Sequence, residues 1–127
     1  MEAAILIVDD HAQLRALMRA IVAEASDLRV VGEAGDGAEA MRLVAARRPA
    51  VVLLDLAMPG VNGLEVLQWM KVEHPETKVI IVTVHTEDAY RQAAEASGAD
   101  AFLLKKTLVT DLLPTIRRLC GYCCKNG

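Results

Sequence analysis

The sequence predicts an α/β domain built on one doubly wound, five-stranded parallel sheet with helices on both faces. Three observations predict it. Short, wholly apolar runs recur along the chain: Ala4–Val8, Ala50–Leu54, Val79–Val82 and Ala101–Leu104. Such runs are strands buried on both faces, the mark of a parallel sheet covered by helices. Stretches with apolar residues at helical spacing separate them. The runs also end on chemistry-bearing residues: Asp9 and Asp10, Asp55, Thr83 and Lys105. In doubly wound sheets the ligand site lies beyond the carboxyl ends of the strands, so these groups should meet at one edge.

The elements follow in order. After the first strand, Leu14, Leu17, Met18, Ile21 and Val22 form a helical stripe. A second strand covers about Arg29 to Glu33. The turn Gly35-Asp36-Gly37 leads to a stripe of Ala38, Met41, Val44 and Ala45, which Pro49 ends. The third strand is followed by the loop-forming text Met58-Pro59-Gly60-Val61-Asn62-Gly63, and a helix from about Leu64 to Glu73 stops before Pro75. Strand 4 leads to an alanine-rich helix, about Glu87 to Ser97, whose weak apolar face makes it the most mobile of the set. Gly98 caps it, and strand 5 follows. Pro is tolerated in a first helical turn, where N–H groups lack intrahelical partners. Asp111 as N-cap places Pro114 there, so the last helix is expected to start near Asp111 rather than at Thr107 and to run to about Leu119; a kinked earlier start competes. Strict alternation with right-handed crossovers gives the flavodoxin-like order 2-1-3-4-5, with its switch point between strands 1 and 3.

The 127 residues allow one domain with a real core, and a net charge of −3 does not indicate a basic nucleic-acid surface. No apolar run approaches the roughly 18 residues that span a bilayer, and no signal-peptide pattern is present, so a cytoplasmic protein without membrane attachment is expected. Cys120, Cys123 and Cys124 crowd the last eight residues. Three sulfurs make a poor zinc site and an odd count fits disulfides badly, so they read as a tail of reduced thiols, with Cys120, and in a longer helix Cys123, continuing a helix face.

Carboxylates brought together repel. At about 4 Å and an effective dielectric near 20 each pair costs roughly 4 kcal/mol, which a proton or a cation must offset. Oxygen ligands with open positions suit Mg²⁺. Asp55, central at the end of strand 3, is the natural nucleophile, and its attack on phosphorus gives an aspartyl-phosphate. Mg²⁺, the Lys105 ammonium and the Thr83 hydroxyl can each meet one oxygen of the transferring group. Taken singly, Asp9-Asp10 also fits a helix cap and Lys105 a solvated lysine; the joint arrangement favours a site. His11 reads as a loop residue rather than a ligand, His74 as a solvated helix end, and Trp69 and Met70 as helix packing, while His85 stays undecided.

The texts Ile5-Leu6-Ile7-Val8-Asp9-Asp10-His11, Leu53-Leu54-Asp55-Leu56-Ala57-Met58-Pro59-Gly60 with Asn62-Gly63, Ile81-Val82-Thr83, and Gly98-Ala99-Asp100-Ala101-Phe102-Leu103-Leu104-Lys105 stand in order and at matching spacing. Over about residues 3 to 120 the chain resembles the receiver domains of two-component response regulators. Val31-Gly32-Glu33-Ala34 and Phe102-Leu103-Leu104-Lys105-Lys106 resemble most the receivers attached to helix-turn-helix output domains. The resemblance implies a receiver domain over residues 1–120 with a short cysteine-containing tail, 121–127. It implies Asp55 as phosphoacceptor, Mg²⁺ held by Asp10, Asp55 and the Ala57 carbonyl with Asp9 acting through a water, and Thr83 and Lys105 on the phosphoryl group. Phe102 matches the aromatic that turns inward when Thr83 moves. The implied donor is a phosphohistidine on a histidine kinase or histidine phosphotransfer protein. Helix 4, strand 5 and helix 5 would form the surface where a partner or a second, phosphorylated copy docks, with no direct nucleic-acid binding by this chain.

Val84 stands where the family mostly has a small residue and is expected to slow phosphorylation and hydrolysis by narrowing access to Asp55. Lys106 replaces a common proline, which removes the expectation of a cis peptide there. Ala57 and His85 flank the expected water path. The leading reading is a phosphorylation-dependent switch that catalyses only its own phosphorylation and dephosphorylation, either stand-alone, which is slightly favoured, or as the amino-terminal receiver excised from a longer transcription factor. An aspartyl-nucleophile phosphatase would need a second acid where Ala57 stands. A flavin module would need a phosphate-cradling loop where Asp9-Asp10-His11 stands, and a receiver that signals without phosphorylation would not need the five-residue site.

Overall fold

A computed structural model describes residues 2–58 and 62–120. The elements are β1 (Ala3–Val8), α1 (Ala12–Ala23), β2 (Leu28–Ala34), α2 (Gly37–Arg47), β3 (Val51–Leu54), α3 (Gly63–Glu73), β4 (Lys78–Thr83), α4 (Asp88–Ala96), β5 (Ala101–Leu104) and α5 (Leu108–Cys120), with one 3₁₀ turn, Lys105–Thr107, before the last helix. All neighbouring strands pair in parallel, in the order β2-β1-β3-β4-β5. The predicted α/β architecture and strand order are those of the molecule.

Period-two alternation divides the apolar strands between two layers. Ile5, Ile7, Leu53, Ile80 and Val82 face α1 and α5, where Met18, Ile21, Val22, Leu108, Leu112 and Ile116 cover them. Leu6, Val8, Val52, Leu54 and Ile81 face α2, α3 and α4, meeting Ala40, Val44, Val66, Leu67, Met70 and Ala94. Each fully buried Leu or Ile contributes about 1.5–3 kcal/mol. The strands β1, β3 and β4 are buried almost throughout, whereas the edge strand β5 is only half-buried. The lightest attachment is that of α4, of which Ala94 alone is buried.

Local chemistry sets the helix ends. Asp36 caps α2 by accepting from the Glu39 N–H at 2.8 Å, and Glu39 Oε1 accepts from the Gly35 N–H at 3.3 Å. After α2 the chain turns through Arg48 in the left-handed region, φ 46°. Asn62 caps α3, its Oδ1 accepting from the Leu64 N–H at 2.8 Å. Beside it, a Cβ on Gly63 would lie 2.5 Å from Leu56 Cα, so only glycine lets α3 begin against the chain that leaves β3. Gly98 ends α4 at φ +101°. At the far edge of the sheet, Asp100 Oδ2 accepts from the Val79 N–H at 2.8 Å and from Lys71 Nζ at 3.0 Å.

Two expectations are corrected. The last helix begins at Leu108, not near Asp111, and Pro114 lies inside it. Pro114 cannot donate to the Thr110 carbonyl, a loss of about 3 kcal/mol in a helix interior. The earlier start places Leu108 in line with Leu112 and Ile116, and all three are buried against the sheet. That burial, together with the bond from Thr110 Oγ1 to the Thr107 carbonyl at 3.1 Å, offsets the break. His74 ends α3 as expected, but it is not solvated. Its side chain is only 14% exposed and lies over Trp69, ring centroids 5.3 Å apart, because the chain folds back at the end of α3 and the imidazole shields apolar ring surface. There is no cis peptide among the described residues, Lys106 included. Cys120 ends α5 half-buried, whereas Cys123, Cys124 and the proposed tail lie outside the described residues. Among the described residues no helix is long and apolar enough to cross a membrane.

Candidate functional site: an acidic cluster bridged by Lys105

The sheet ladder fixes the two central aspartates. The Asp9 N–H donates to the Ala34 carbonyl and the Asp55 N–H to the Val8 carbonyl, both at 3.0 Å, so each residue sits one step past the end of its strand on a rigid frame. Both are buried: Asp9 is 0% and Asp55 3% exposed. Local turns then aim the carboxylates. Asp9 Oδ1 accepts from the His11 N–H at 2.8 Å, and Asp55 Oδ1 from the Ala57 N–H at 2.9 Å. The second oxygen of each carboxylate faces Lys105, whose Nζ lies 2.9 Å from Asp9 Oδ2 and 3.2 Å from Asp55 Oδ2.

Lys105 leaves the end of β5 in the 3₁₀ turn, and its side chain is 10% exposed. Burial alone pushes its pKa down, but the hydrogen bond to Asp9 and the charges of Asp55 and Asp9 outweigh it and hold the ammonium above its ordinary value. One cation therefore serves two buried carboxylates. Asp10, with its side chain 26% exposed, adds a third. The Asp10 Oδ1 atom is itself buried and accepts no hydrogen bond, although His11 Nδ1 stands 3.2 Å away. A buried carboxylate oxygen without a donor is costly and calls for a cation.

Asp9, Asp10, His11 and Asp55 each present one ligand atom, all within 4.8 Å of one another. Three of the four are carboxylate oxygens, hard donors that suit Mg²⁺. The cluster fits such an ion. His11, read from sequence as a loop residue, lies within this group. Ala57 is exposed beside it and contributes its N–H to Asp55.

The remaining predicted residues lie nearby but outside the cluster. Thr83, fully buried at the end of β4, accepts at Oγ1 from the His85 N–H at 3.1 Å. Ile81 pairs with Phe102 and Thr83 with Leu104, so Thr83 and Phe102 face the same layer, toward α4. Phe102 is half-buried, with the Arg91 guanidinium 5.2 Å over its ring. The His85 ring stacks on Tyr90 of α4, centroids 4.2 Å apart and planes 10° from parallel. Val84 is 66% exposed.

Sequence reading missed one contributor. Arg15, on α1, reaches back with Nη1 to the Asp9 carbonyl at 2.5 Å, while its Nε donates to Glu33 Oε1 on β2 at 3.3 Å. No spacing signal marks it, since a polar residue one turn into a helix is usually solvated.

Comparison with known proteins places this geometry. Residues 5–117 match the family described as the response regulator receiver domain. The chain is 35% identical over 113 residues to the response regulator GacA of Pseudomonas syringae pv. syringae, covering 89% of this chain and 53% of that protein. It is 35% identical over 116 residues to the nitrate/nitrite response regulator protein NarL of Escherichia coli, covering 91% and 54%. The chain thus spans about half the length of the curated relatives it matches. Among solved structures it superposes on the response regulator domain of Thermotoga maritima CheB with a TM-score of 0.87 at 31% identity, covering 94% of this chain and 96% of that one. A DNA-binding response regulator of the LuxR family from Staphylococcus aureus gives 0.86 at 33% identity, covering 92% and 98%. With its five-stranded sheet in the order β2-β1-β3-β4-β5 and this match over residues 5–117, the chain belongs to the response regulator receiver domain family of two-component signalling.

Proposed function

We propose that this chain accepts a phosphoryl group on Asp55 from a phosphohistidine of a cytoplasmic histidine kinase or histidine phosphotransfer protein. The observation that carries the reading is the shared lysine: Lys105 Nζ bridges Asp9 Oδ2 and Asp55 Oδ2, while the Ala57 N–H holds Asp55 Oδ1. Asp55 is thereby oriented and buried, with an ammonium at the oxygen that attacks. In the transfer, an Asp55 oxygen forms the new bond to phosphorus, the phosphorus–nitrogen bond to the donor imidazole breaks, and the imidazole keeps the electron pair and takes up a proton. Mg²⁺ held by Asp10, Asp55 and the Ala57 carbonyl, with Asp9 acting through a water, would neutralise charge on the phosphoryl oxygens. Lys105 follows the charge from the carboxylate to a phosphoryl oxygen. The Thr83 hydroxyl leaves the His85 N–H and donates to another phosphoryl oxygen, and Phe102 moves into the space it leaves, giving up its contact with Arg91. The face made by α4, β5 and α5 is then the switched surface, open to a partner or to a second phosphorylated copy. Water attack on the aspartyl-phosphate resets the site, so the only chemistry is the domain's own phosphorylation and dephosphorylation.

The half-length coverage favours a second reading of the output. Residues 1–120 would serve as the receiver of a DNA-binding regulator, as in the LuxR-family relative. A phosphatase reading gains nothing from the structure, because Ala57 offers a methyl group where a second acid would be required.

Intact mass measured with acetyl phosphate, with and without Mg²⁺, on the parent and on Asp55→Ala tests the phosphotransfer. The expected result is a Mg²⁺-dependent gain of one phosphoryl group that the variant lacks. No gain on the parent, or an equal gain on the variant, overturns the proposal.

A further inference from the structure

Arg15 stands outside the chemistry just described, yet it grips the segment that carries two of the three carboxylates. Its own N–H donates to the His11 carbonyl at 3.0 Å, the first bond of α1. Its guanidinium donates to the Asp9 carbonyl at 2.5 Å. The segment 9–11 is thus held at both ends by one residue. The guanidinium is in turn fixed by Glu33 on β2, at 3.3 Å from Nε, and Glu33 also accepts from Arg19 Nη1 at 2.5 Å. The Arg15 side chain is 23% exposed, so this tether is largely sheltered from water.

The peptide group is planar, so holding the Asp9 carbonyl also holds the Asp10 N–H and the direction in which Asp10 leaves the strand. Asp10 is the carboxylate whose buried Oδ1 accepts no hydrogen bond. Its side-chain contact, His11 Nδ1 at 3.2 Å, comes from the next residue of the same short segment, so it moves with that segment and does not tie the oxygen to the frame against the repulsion of Asp9 and Asp55. We infer that Arg15, anchored by Glu33, is a positioning residue that keeps Asp10 turned into the acidic cluster, so that the divalent-cation site is preorganised before an ion arrives. This rests on the reading of the cluster as a Mg²⁺ site.

Positioning and plain electrostatics predict opposite signs. A guanidinium bonded to the segment that carries two of the three carboxylates competes with a cation, so removing it tightens Mg²⁺ binding if charge is all that matters. Removing a tether loosens it, because the ion must then reorder the segment as it binds. The test titrates MgCl₂ into the protein and follows the backbone amide shifts of Asp10 and His11 by ¹⁵N NMR, with phosphorylation by acetyl phosphate measured separately at saturating Mg²⁺. For Arg15→Ala the Mg²⁺ dissociation constant should rise about tenfold, while the rate at saturating Mg²⁺ stays within about twofold of the parent. Arg19→Ala, which touches Glu33 but not Asp9, should leave the dissociation constant unchanged. Glu33→Gln keeps a neutral acceptor for Arg15 and should give an intermediate rise. An unchanged or lower dissociation constant in Arg15→Ala, or an equal rise in Arg19→Ala, overturns the assignment while the metal-site reading stands. A parent that shows no Mg²⁺-dependent shift at Asp10 or His11 overturns both.

Discussion

Replacing Asp55 by asparagine should make the metal-free protein more stable, although it removes the proposed phosphoacceptor. The ligand atoms of Asp9, Asp10 and Asp55 lie within 4.8 Å of one another. At that distance and an effective dielectric of about 20, each like-charged pair costs about 3.5 kcal/mol. Asp55 takes part in two such pairs and in one attraction, to Lys105 at 3.2 Å, worth about 5 kcal/mol on the same scale. Repulsion exceeds attraction by about 2 kcal/mol, and the partial exposure of Asp10 reduces this to about 1–2 kcal/mol. The asparagine keeps the bond from the Ala57 N–H and leaves Lys105 wholly to Asp9. Urea unfolding without divalent cations should therefore move to a higher midpoint, by about 0.5–1 M for a slope typical of small domains. With Mg²⁺ near a hundred times its dissociation constant the parent should gain about 2.7 kcal/mol and the variant much less, closing or reversing the difference. A variant midpoint equal to or below the parent's without metal would refute the view that the cluster stores repulsion.

Gly63→Ala should destabilise the fold by at least about 2 kcal/mol and slow phosphorylation, because its Cβ would meet Leu56 Cα at 2.5 Å and push the chain that follows Asp55; urea unfolding and the acetyl phosphate reaction measure both. Pro114→Ala should stabilise by about 2 kcal/mol, the regained helical bond less the greater freedom of the unfolded chain, and a thermal midpoint that falls would show that the proline fits its turn without loss. The hydrogen bond from Arg117, 2.6 Å from Asp27 Oδ2, holds the Asp27 carboxyl below its ordinary value. A depressed acid contributes stability above the unfolded pKa of about 3.9 that is lost as pH falls through the folded value, so Arg117→Ala should flatten the acid limb of the stability profile below about pH 4.

The three central strands were legible because burial on both faces leaves an unbroken apolar text, as in Ile5–Val8 and Val51–Leu54. The acidic cluster was legible for a related reason: residues that end central strands at a switch point have only one place to go. The start of α5 was misjudged because local rules place Pro114 in a first turn, while the tertiary gain of burying Leu108 decided otherwise. His74 was misjudged because a helix end before proline reads as solvated, and its cover, Trp69, lies five residues back on the same helix. Arg15 left no trace because its partners, the Asp9 carbonyl and Glu33, are set by how α1 lies across β1 and β2.

The slight attachment of α4 bears on how quiet the resting protein can be. Ala94 is its buried anchor, and the Arg91–Phe102 contact, worth about 0.5–1 kcal/mol at an exposed site, joins the Tyr90–His85 stack and the Gln68–Ser97 hydrogen bond at 3.2 Å; all are weak surface ties, so little free energy separates its resting seat from a neighbouring one. A gap of about 1.4 kcal/mol leaves one molecule in ten in the other arrangement. If phosphorylation of Asp55 switches this face, as proposed, sensitivity to a single phosphoryl group and a low background pull against each other in this helix, and any leak of signal from unmodified protein should originate there.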